Sequence, residues 1–141
     1  MILGSPVRDR LAALLPALRE VGGASSVADA MEHARTLPAA YVLPVAQTAT
    51  RGARIGGDLR QRVESTIAVL CGVDLRGPDA QDDVEAWRDA IKEALVGWRP
   101  SAAHDLVQFE QYDLLSIEPQ AAWLQLRFVT AADEYTGTSS G

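Results

Sequence analysis

The stretch LRQRVESTIAVLCGV, residues 59–73, decides the fold, because its side chains alternate with the two-residue period of a β-strand. One face is largely apolar and consists of Val63, Ser65, Ile67, Val69, Cys71 and Val73. The other face is polar at its start and becomes apolar at Ala68 and Leu70. We therefore expect a strand that is exposed where it begins and covered on both faces where it ends.

Two segments of different character precede this strand. Residues 40–46, AYVLPVA, are rich in strand-forming side chains, and Pro44 indicates an edge position or a β-bulge because proline donates no backbone hydrogen bond. Residues 48–58, TATRGARIGGD, contain glycines and arginines but little that can be buried. We predict a long loop there, and long loops in small domains are usually functional or mobile.

Apolar residues at helical spacing predict two strong helices and a weaker one. The first strong helix begins at Ser5 and Pro6, and Pro16 should bend or shorten its last turn. The second covers residues 83–97 and ends in a glycine. The weaker helix covers residues 26–35 and begins with a serine that can cap it. The two strong helices each present an apolar stripe that a sheet can cover.

The last two predicted strands lie near residues 106–118 and 122–133 and favour an antiparallel hairpin joined at Pro119-Gln120. Residues 21–24 can begin a short edge strand. The order of elements predicts an α+β fold, with a mixed or antiparallel sheet of about four strands and the two main helices packed on one face. We expect one domain over residues 1–134 and a flexible C-terminal tail over residues 135–141.

The composition limits the class of protein. The chain has 141 residues, of which 48% are apolar and 23% charged, so it is an ordinary globular domain and not a disordered chain. Its net charge of −6 argues against a general nucleic-acid binder, which would normally be basic. No apolar run reaches the length of about 18 residues that a membrane helix needs, and no signal peptide is apparent. We therefore expect no contact with a membrane.

The sequence contains no pattern typical of an active site. Cys71 lies in the apolar part of its strand, where a thiol is usually inert. His33 and His104 stand alone, and we expect both on the surface because a metal site needs several ligands together. The glycines of residues 52–57 match neither common phosphate-loop pattern and precede a strand rather than a helix. We expect no catalytic residue, no metal and no cofactor.

Two groups of residues are candidates for contact with another protein. The basic patch consists of Arg51, Arg54, Arg60 and Arg62. It is either a solvated strand end or a docking site for an acidic surface. On the last predicted strand, Trp123 and Arg127 share a face. If that face looks outward, it could anchor an interface, because Trp and Arg are enriched there.

Several segments together resemble one protein family. These are YVLPVAQT (residues 41–48), QRVES (residues 61–65) and GWRP (residues 97–100), within a progression that runs from about Val7 to Tyr135. On these segments the chain resembles the tail terminator proteins of tailed bacteriophages and prophages. The resemblance implies a structural protein and not an enzyme. Such proteins form a ring, typically a hexamer, that caps the head-proximal end of the tail tube, stops tube polymerisation and joins the tail to the head connector.

The resemblance also implies the partners and the location. The partners would be further copies of the chain, the tail tube protein and the head–tail connector protein. The protein would be part of the virion tail and would assemble in the cytoplasm of the bacterial host. DNA would pass through the ring without sequence-specific binding, and neither a cofactor nor a membrane would be involved.

Other functions stay open at this point. A head–tail adaptor or another tail morphogenesis protein would have a similar small α+β fold and would also assemble into rings. A small enzyme would need a reactive group such as Cys71 or a pair of carboxylates in a concave pocket. A ligand-binding or regulatory domain would need an apolar cavity. Burial of Cys71 within the sheet would argue against thiol chemistry.

Overall fold

The computed structural model describes residues 3–34, 36–55, 58–118 and 120–137. Its elements in chain order are α1 (Gly4–Leu14), β1 (Glu20–Gly23), α2 (Val27–His33), β2 (Ala39–Ala49), β3 (Ala53–Ile55), β4 (Asp58–Asp74), α3 (Ala80–Leu95), β5 (Gln108–Ile117) and β6 (Ala121–Gly137). The α+β class is as predicted. The described part of the chain contains six strands and three helices, compared with the predicted four or so strands and two main helices.

The sheet is mixed, with strand order β1-β2-β4-β6-β5 and β3 paired to β4. β1 runs parallel to β2, and the other pairs are antiparallel. β4 and β6 form the centre and pair along their full lengths, from Asp58 opposite Gly137 to Asp74 opposite Ala121. β1 is the short edge strand expected near residues 21–24, and β3 is a further short strand that was not expected. β5 and β6 form the predicted C-terminal hairpin.

One face of the sheet packs against α1 and α3, as predicted. We call this cluster the helix-side core, and its fully buried members include Val7, Leu11, Val69, Cys71, Val73, Ile91, Leu95, Leu124 and Phe128. The odd-numbered apolar face of β4 lies in this core, which confirms the face assigned from the alternation. Side chains from two helices and three central strands thus share one apolar interior.

The opposite face is covered by α2 over part of its area. The second core consists of Ala30, Ala39, Tyr41, Leu43, Ala68, Leu70 and Trp123. Ser26 caps α2, because its hydroxyl accepts a hydrogen bond from the Asp29 backbone N–H at 3.0 Å. Since β4 contributes Ala68 and Leu70 to this core, its C-terminal half is covered on both faces, as its sequence predicts.

The helix ends differ slightly from the prediction. α1 begins at Gly4 with Leu3 in the cap position, so Ser5 is not the N-cap, and its hydroxyl accepts from the Arg8 guanidinium instead. α1 stops at Leu14, before Pro16, which agrees with the expected shortening. α3 begins at Ala80 and ends at Leu95, and the chain then turns at Gly97, where φ is +82°. This left-handed conformation favours glycine.

Pro44 lies both at an edge and at a bulge. β1 ends at Gly23 opposite Val42, so the following part of β2 has no neighbour on that side among the described strands. The pairing of β2 with β4 shifts register between Pro44 and Ala46. At this position the missing N–H of proline therefore costs the sheet no hydrogen bond.

The predicted loop over residues 48–58 is wrong. β2 continues to Ala49, and β3 follows in the same direction along β4, with Ala53 opposite Arg60 and Ile55 opposite Asp58. Residues 53–55 and 58 are therefore in paired strands, and residues 56 and 57 of the predicted loop lie outside the described residues. The segment has few apolar side chains, so its composition indicated a loop. Its pairing with β4 through the backbone could not be predicted from composition.

The central strands extend well beyond the helices. β4 has 17 residues, which is about 55 Å at the usual rise of a strand. α3 has 16 residues but spans only about 24 Å at the rise of a helix. Part of the sheet must therefore project past the helical layer. β6 takes part in this projection and continues to Gly137, three residues into the segment predicted as a tail, while residues 138–141 lie outside the described residues.

Candidate functional site

The projecting part of the sheet, which we call the blade, consists of residues 44–55, 58–66 and 130–137. Its start is visible in β2, whose residues 39–43 are buried and whose residues 44–49 are exposed. The blade ends at the hairpin that joins β3 to β4, and we call residues 50–55 its tip. Residues 104–105 still cover the blade at Thr130 and Ala132. The exposed side formed by β2 and the tip is available for contact with other chains.

The structure brings the four predicted arginines together on the blade but divides them into two pairs. Arg60 and Arg62 project from the same face of β4. Arg60 contacts Asp133 of β6 at 3.0 Å, and Arg62 contacts Asp133 at 3.4 Å and also pairs with Asp105. These side chains are about half exposed, so each ion pair contributes little to stability. The pairs nevertheless hold the two guanidinium groups against the sheet.

Arg51 and Arg54 lie at the tip and are exposed. Arg51 belongs to the three-residue interruption between β2 and β3, and Arg54 belongs to β3 itself, opposite Leu59. Residues 50–55 contain no acidic side chain. The tip therefore presents positive charge at the far end of an otherwise acidic protein.

The interruption at the tip has a defined backbone structure. The Thr50 N–H donates to the Arg62 carbonyl oxygen at 2.9 Å, and the Arg62 N–H donates back to the Thr50 hydroxyl at 3.3 Å. A Cβ on Gly52 would lie 2.6 Å from the Leu59 side chain and 3.1 Å from the Arg60 carbonyl oxygen. Glycine is therefore needed here for close approach, and Arg51 is held between two fixed residues.

Trp123 and Arg127 occupy a different place. Trp123 is only 4% exposed and lies in the second core, so the condition that its ring faces outward is not met. Arg127 is half-buried, and its Nε has no hydrogen-bond partner among the described residues. Neither residue lies on the blade, and the alternation along β6 could not show that α2 covers this face.

The sequence predicted the strand β5 but not its exposed apolar edge. It lies at the edge of the sheet and exposes Leu114, Leu115 and Ile117 at 46%, 37% and 68%. Register shifts between Phe109 and Gln111 and between Leu114 and Ser116 interrupt its pairing with β6. The one available signal was the adjacent pair Leu114-Leu115, which breaks the alternation of a half-buried strand.

The groups considered for catalysis are buried or isolated. Cys71 is fully buried, and burial raises the pKa of its thiol to about 12, so it carries no thiolate at neutral pH. His104 is buried rather than on the surface as predicted, with its Nδ1 2.7 Å from the Ser101 hydroxyl. Burial lowers the pKa of His104, which favours the neutral ring. The described residues contain no cluster of three or more metal-ligating side chains, and the His33 side chain lies outside them.

An open groove of about 730 Å³ lies beside the uncovered edge of β2. Leu3, Val42, Pro44 and Ile67 form its apolar wall. Its charged lining residues are Arg8 and Asp29, and the Asp29 carboxylate accepts from the Ser25 N–H and hydroxyl at the start of α2. The lining also includes the hydroxyls of Ser65 and Thr66, but it contains no cysteine, histidine or lysine that could act as a strong nucleophile or general base. Among the helices in the described ranges, none has the length and apolar character needed to cross a membrane.

Comparisons with known proteins identify a family and similar solved structures. The family model for the phage tail terminator protein matches residues 2–136. A chain in the structure of the virion of a native gene transfer agent particle is similar, with 18% sequence identity and a TM-score of 0.48. The match covers 94% of this chain and 95% of that one. No curated protein sequence matches the chain.

Proposed function

The chain belongs to the phage tail terminator family, and on this premise we propose that it caps the head-proximal end of a phage tail tube as a hexameric ring. Membership makes the protein a structural component of a phage tail and of the virion. The single observation that carries the proposal is the family match over residues 2–136, which leaves almost no part of the chain unassigned.

The structure supports ring formation through its two unlike sheet edges. One edge is β5, and the other is formed by β1 together with the uncovered half of β2. A closed ring requires head-to-tail contacts in which two different patches of each copy meet. A sheet with distinct exposed edges provides two such patches, whereas two identical patches would favour a dimer.

The blade supports the proposed action on the tube. A tube grows as long as each added layer presents the surface that the next layer needs. A terminator ring that binds the last layer but presents a different upper surface ends that repetition. We assign binding of a neighbouring subunit or of the tube protein to Arg51, Arg54, Arg60 and Arg62, and the opposite surface to the head–tail connector protein. Charged contacts of this kind mainly provide specificity and rapid association.

No chemical step and no cofactor form part of this proposal. The buried thiol of Cys71 and a groove lining without cysteine, histidine or lysine give no support to the small-enzyme alternative. The ring would assemble in the cytoplasm of the bacterial host, and DNA would pass through it without base-specific contact. Trp123 and Arg127 would then act chiefly within the subunit.

Removal of the gene from the parent phage tests the function directly. We expect tails of uncontrolled length and filled heads without tails, because nothing ends tube growth or joins the two parts. Electron microscopy of the lysate measures both. Tails of normal length that fail to join heads would instead favour a head–tail adaptor, and normal infectious particles would rule out both roles.

Charge reversal at the tip tests the proposed docking site. We expect Arg51→Glu with Arg54→Glu to leave the circular dichroism spectrum unchanged and to reduce the fraction of capped tails by about tenfold. The matched control is Arg19→Glu with Arg76→Glu, which changes the net charge equally at the opposite end of the sheet, where Arg76 pairs with Asp74 at 2.8 Å. Normal tail length and infectivity in the tip variant would contradict the assignment.

A further inference from the structure

The edge strand β5 has exposed apolar side chains and an uncovered backbone edge, which proteins seldom leave together on a free surface. Leu114, Leu115 and Ile117 are exposed, and the outer backbone groups of an edge strand have no partner within the sheet. Natural proteins normally cover such an edge or place lysine or proline on it. β5 contains neither residue type over 108–117. Its register shifts and carboxylates weaken pairing with a further strand, but they leave the three apolar side chains exposed, and an external partner would cover these.

The charge of β5 indicates what kind of partner fits. Residues 108–118 carry Glu110, Asp113 and Glu118 and no basic side chain. Glu110 and Glu118 are exposed, and Asp113 is half-buried and accepts from the Gln111 amide at 2.7 Å. A partner with arginines matches this surface. Their aliphatic stems pack on leucine side chains, while their guanidinium groups reach carboxylates.

The chain itself contains a segment of the complementary kind, namely the tip with Arg51 and Arg54. The tip cannot reach β5 of its own chain. β6 lies between β4 and β5, and β5 pairs with β6 only as far as Val129. The tip lies across β4 from Tyr135, which is about 20 Å further along β6 than Val129.

We infer that the tip of one copy docks on β5 of the next copy in the ring, with Arg51 and Arg54 against the acidic and apolar surface of residues 110–117. This inference rests on the proposed ring and specifies which surfaces form its contacts. Because tip and β5 lie on different edges of the sheet, the contact is head-to-tail and repeats from copy to copy. Contact between two β5 strands would place acidic side chains opposite one another, which is unfavourable.

Disulfide cross-linking in assembled tails tests the contact. The variant carries Arg51→Cys and Glu110→Cys, and the native Cys71 does not interfere because it is fully buried. After mild oxidation we expect a ladder of covalent multimers in a denaturing gel that ends at the size of the ring. The control replaces Glu110→Cys by Asp9→Cys, an exposed position on α1 that should give no ladder.

Each outcome of the cross-linking experiment has a definite meaning. A ladder in the β5 variant alone supports the inference. Products that stop at a dimer would indicate a symmetric contact between two copies. Cross-links to the tube protein would show that the tip binds the tube. Either result would overturn the inference. A ladder in the Asp9→Cys control would also overturn it, since the tip would then lie on the helical layer.

A charge exchange provides a second, independent test. We expect Arg51→Glu with Arg54→Glu, and separately Glu110→Arg with Asp113→Arg, each to lower the fraction of capped tails by about tenfold or more. The combination of all four substitutions should restore capping to within about threefold of the native protein. The matched control combines the tip variant with Asp9→Arg and Glu93→Arg, exposed positions on α1 and α3. Equal rescue by this control would show a general charge effect and overturn the inference.

The failure of this inference differs from the failure of the proposed function. If tails without the protein have normal length, the function is wrong whatever the cross-links show. If tail length depends on the protein, but the ladder and the charge rescue are both absent, the function stands and the tip–β5 contact is wrong. Circular dichroism of each purified variant separates loss of contact from loss of folding.

Discussion

At the scale of single residues, the contact between Gly72 and Trp123 shows how one glycine determines the position of a large side chain. Gly72 lies opposite Trp123 in the pairing of β4 with β6. A Cβ on Gly72 would lie 2.9 Å from the indole ring and 2.8 Å from the Leu37 side chain. The missing side chain therefore leaves the space that the ring fills, and α2 closes over it.

This contact predicts a specific loss of stability. We expect Gly72→Ala to lower the free energy of unfolding by about 1–3 kcal/mol, because the added methyl group overpacks the second core. Urea denaturation followed by circular dichroism measures the change. The control is Gly77→Ala, whose Cβ would meet only the Asp83 carboxylate at 3.8 Å and which should change stability by less than about 0.5 kcal/mol. Equal effects of the two substitutions would refute the packing argument.

His104 predicts a dependence of stability on pH. Burial lowers its pKa, and the opposing effect of Glu134 is smaller. Because the folded pKa lies below the unfolded value of about 6.5, the unfolded chain binds more protons as pH falls. The free energy of unfolding should therefore decrease as pH falls from about 7.5 towards 5.5. Denaturation curves of the native protein and of His104→Gln measure this, and the variant should lack the decrease in that window.

At the scale of elements, α2 depends on its cap more than the other helices do. It has only seven residues, and Ser26 accepts the Asp29 N–H at its first turn. We expect Ser26→Ala to lower the free energy of unfolding by about 1 kcal/mol and to increase amide exchange in α2. Ser25→Ala is the control, since the backbone N–H of residue 25 still donates to Asp29. An unchanged exchange rate in α2 for Ser26→Ala would contradict the role of the cap.

The elements that the sequence predicted correctly are those whose signals are local. The alternation along β4 and the helical stripe of α3 depend on side chains within one segment, so their type and buried face could be read directly. β3 could not be recognised, because residues 53–55 form a strand only through pairing with residues 58–60 and three residues are too few to show a period. Pro44 was interpreted correctly for a local reason, its missing backbone donor.

The candidate site was predictable to a similar extent. The four arginines lie close together because a hairpin brings residues 51–62 side by side, which their proximity in sequence already suggested. Burial of Trp123 depends on α2 and Gly72, which are distant in the sequence, so it could not be read from β6 alone. The edge position of β5 follows from strand order, and strand order is a property of the whole topology.

At the scale of the whole molecule, Cys71 reports on global unfolding. Its thiol lies in the helix-side core, and its pKa is raised to about 12 by burial. We expect thiol reagents to modify Cys71 only in the small population of unfolded molecules. Gly72→Ala should accelerate labelling by the same factor by which it raises the unfolding constant, because labelling follows the open population when closing is fast. Rapid labelling of the native protein without unfolding would show an accessible thiol and contradict the buried position.

β4 and β6 each run without interruption from beneath the helices to the far end of the blade. A slip of one residue anywhere along such a strand would turn every side chain to the other face. Val69 and Leu70 prevent a slip, because they are fully buried on opposite faces of β4. Arg60 lies nine residues away, about 30 Å at the usual strand rise. The buried residues of β4 therefore fix its register, and through it they fix the face of the sheet from which the distant Arg60 projects.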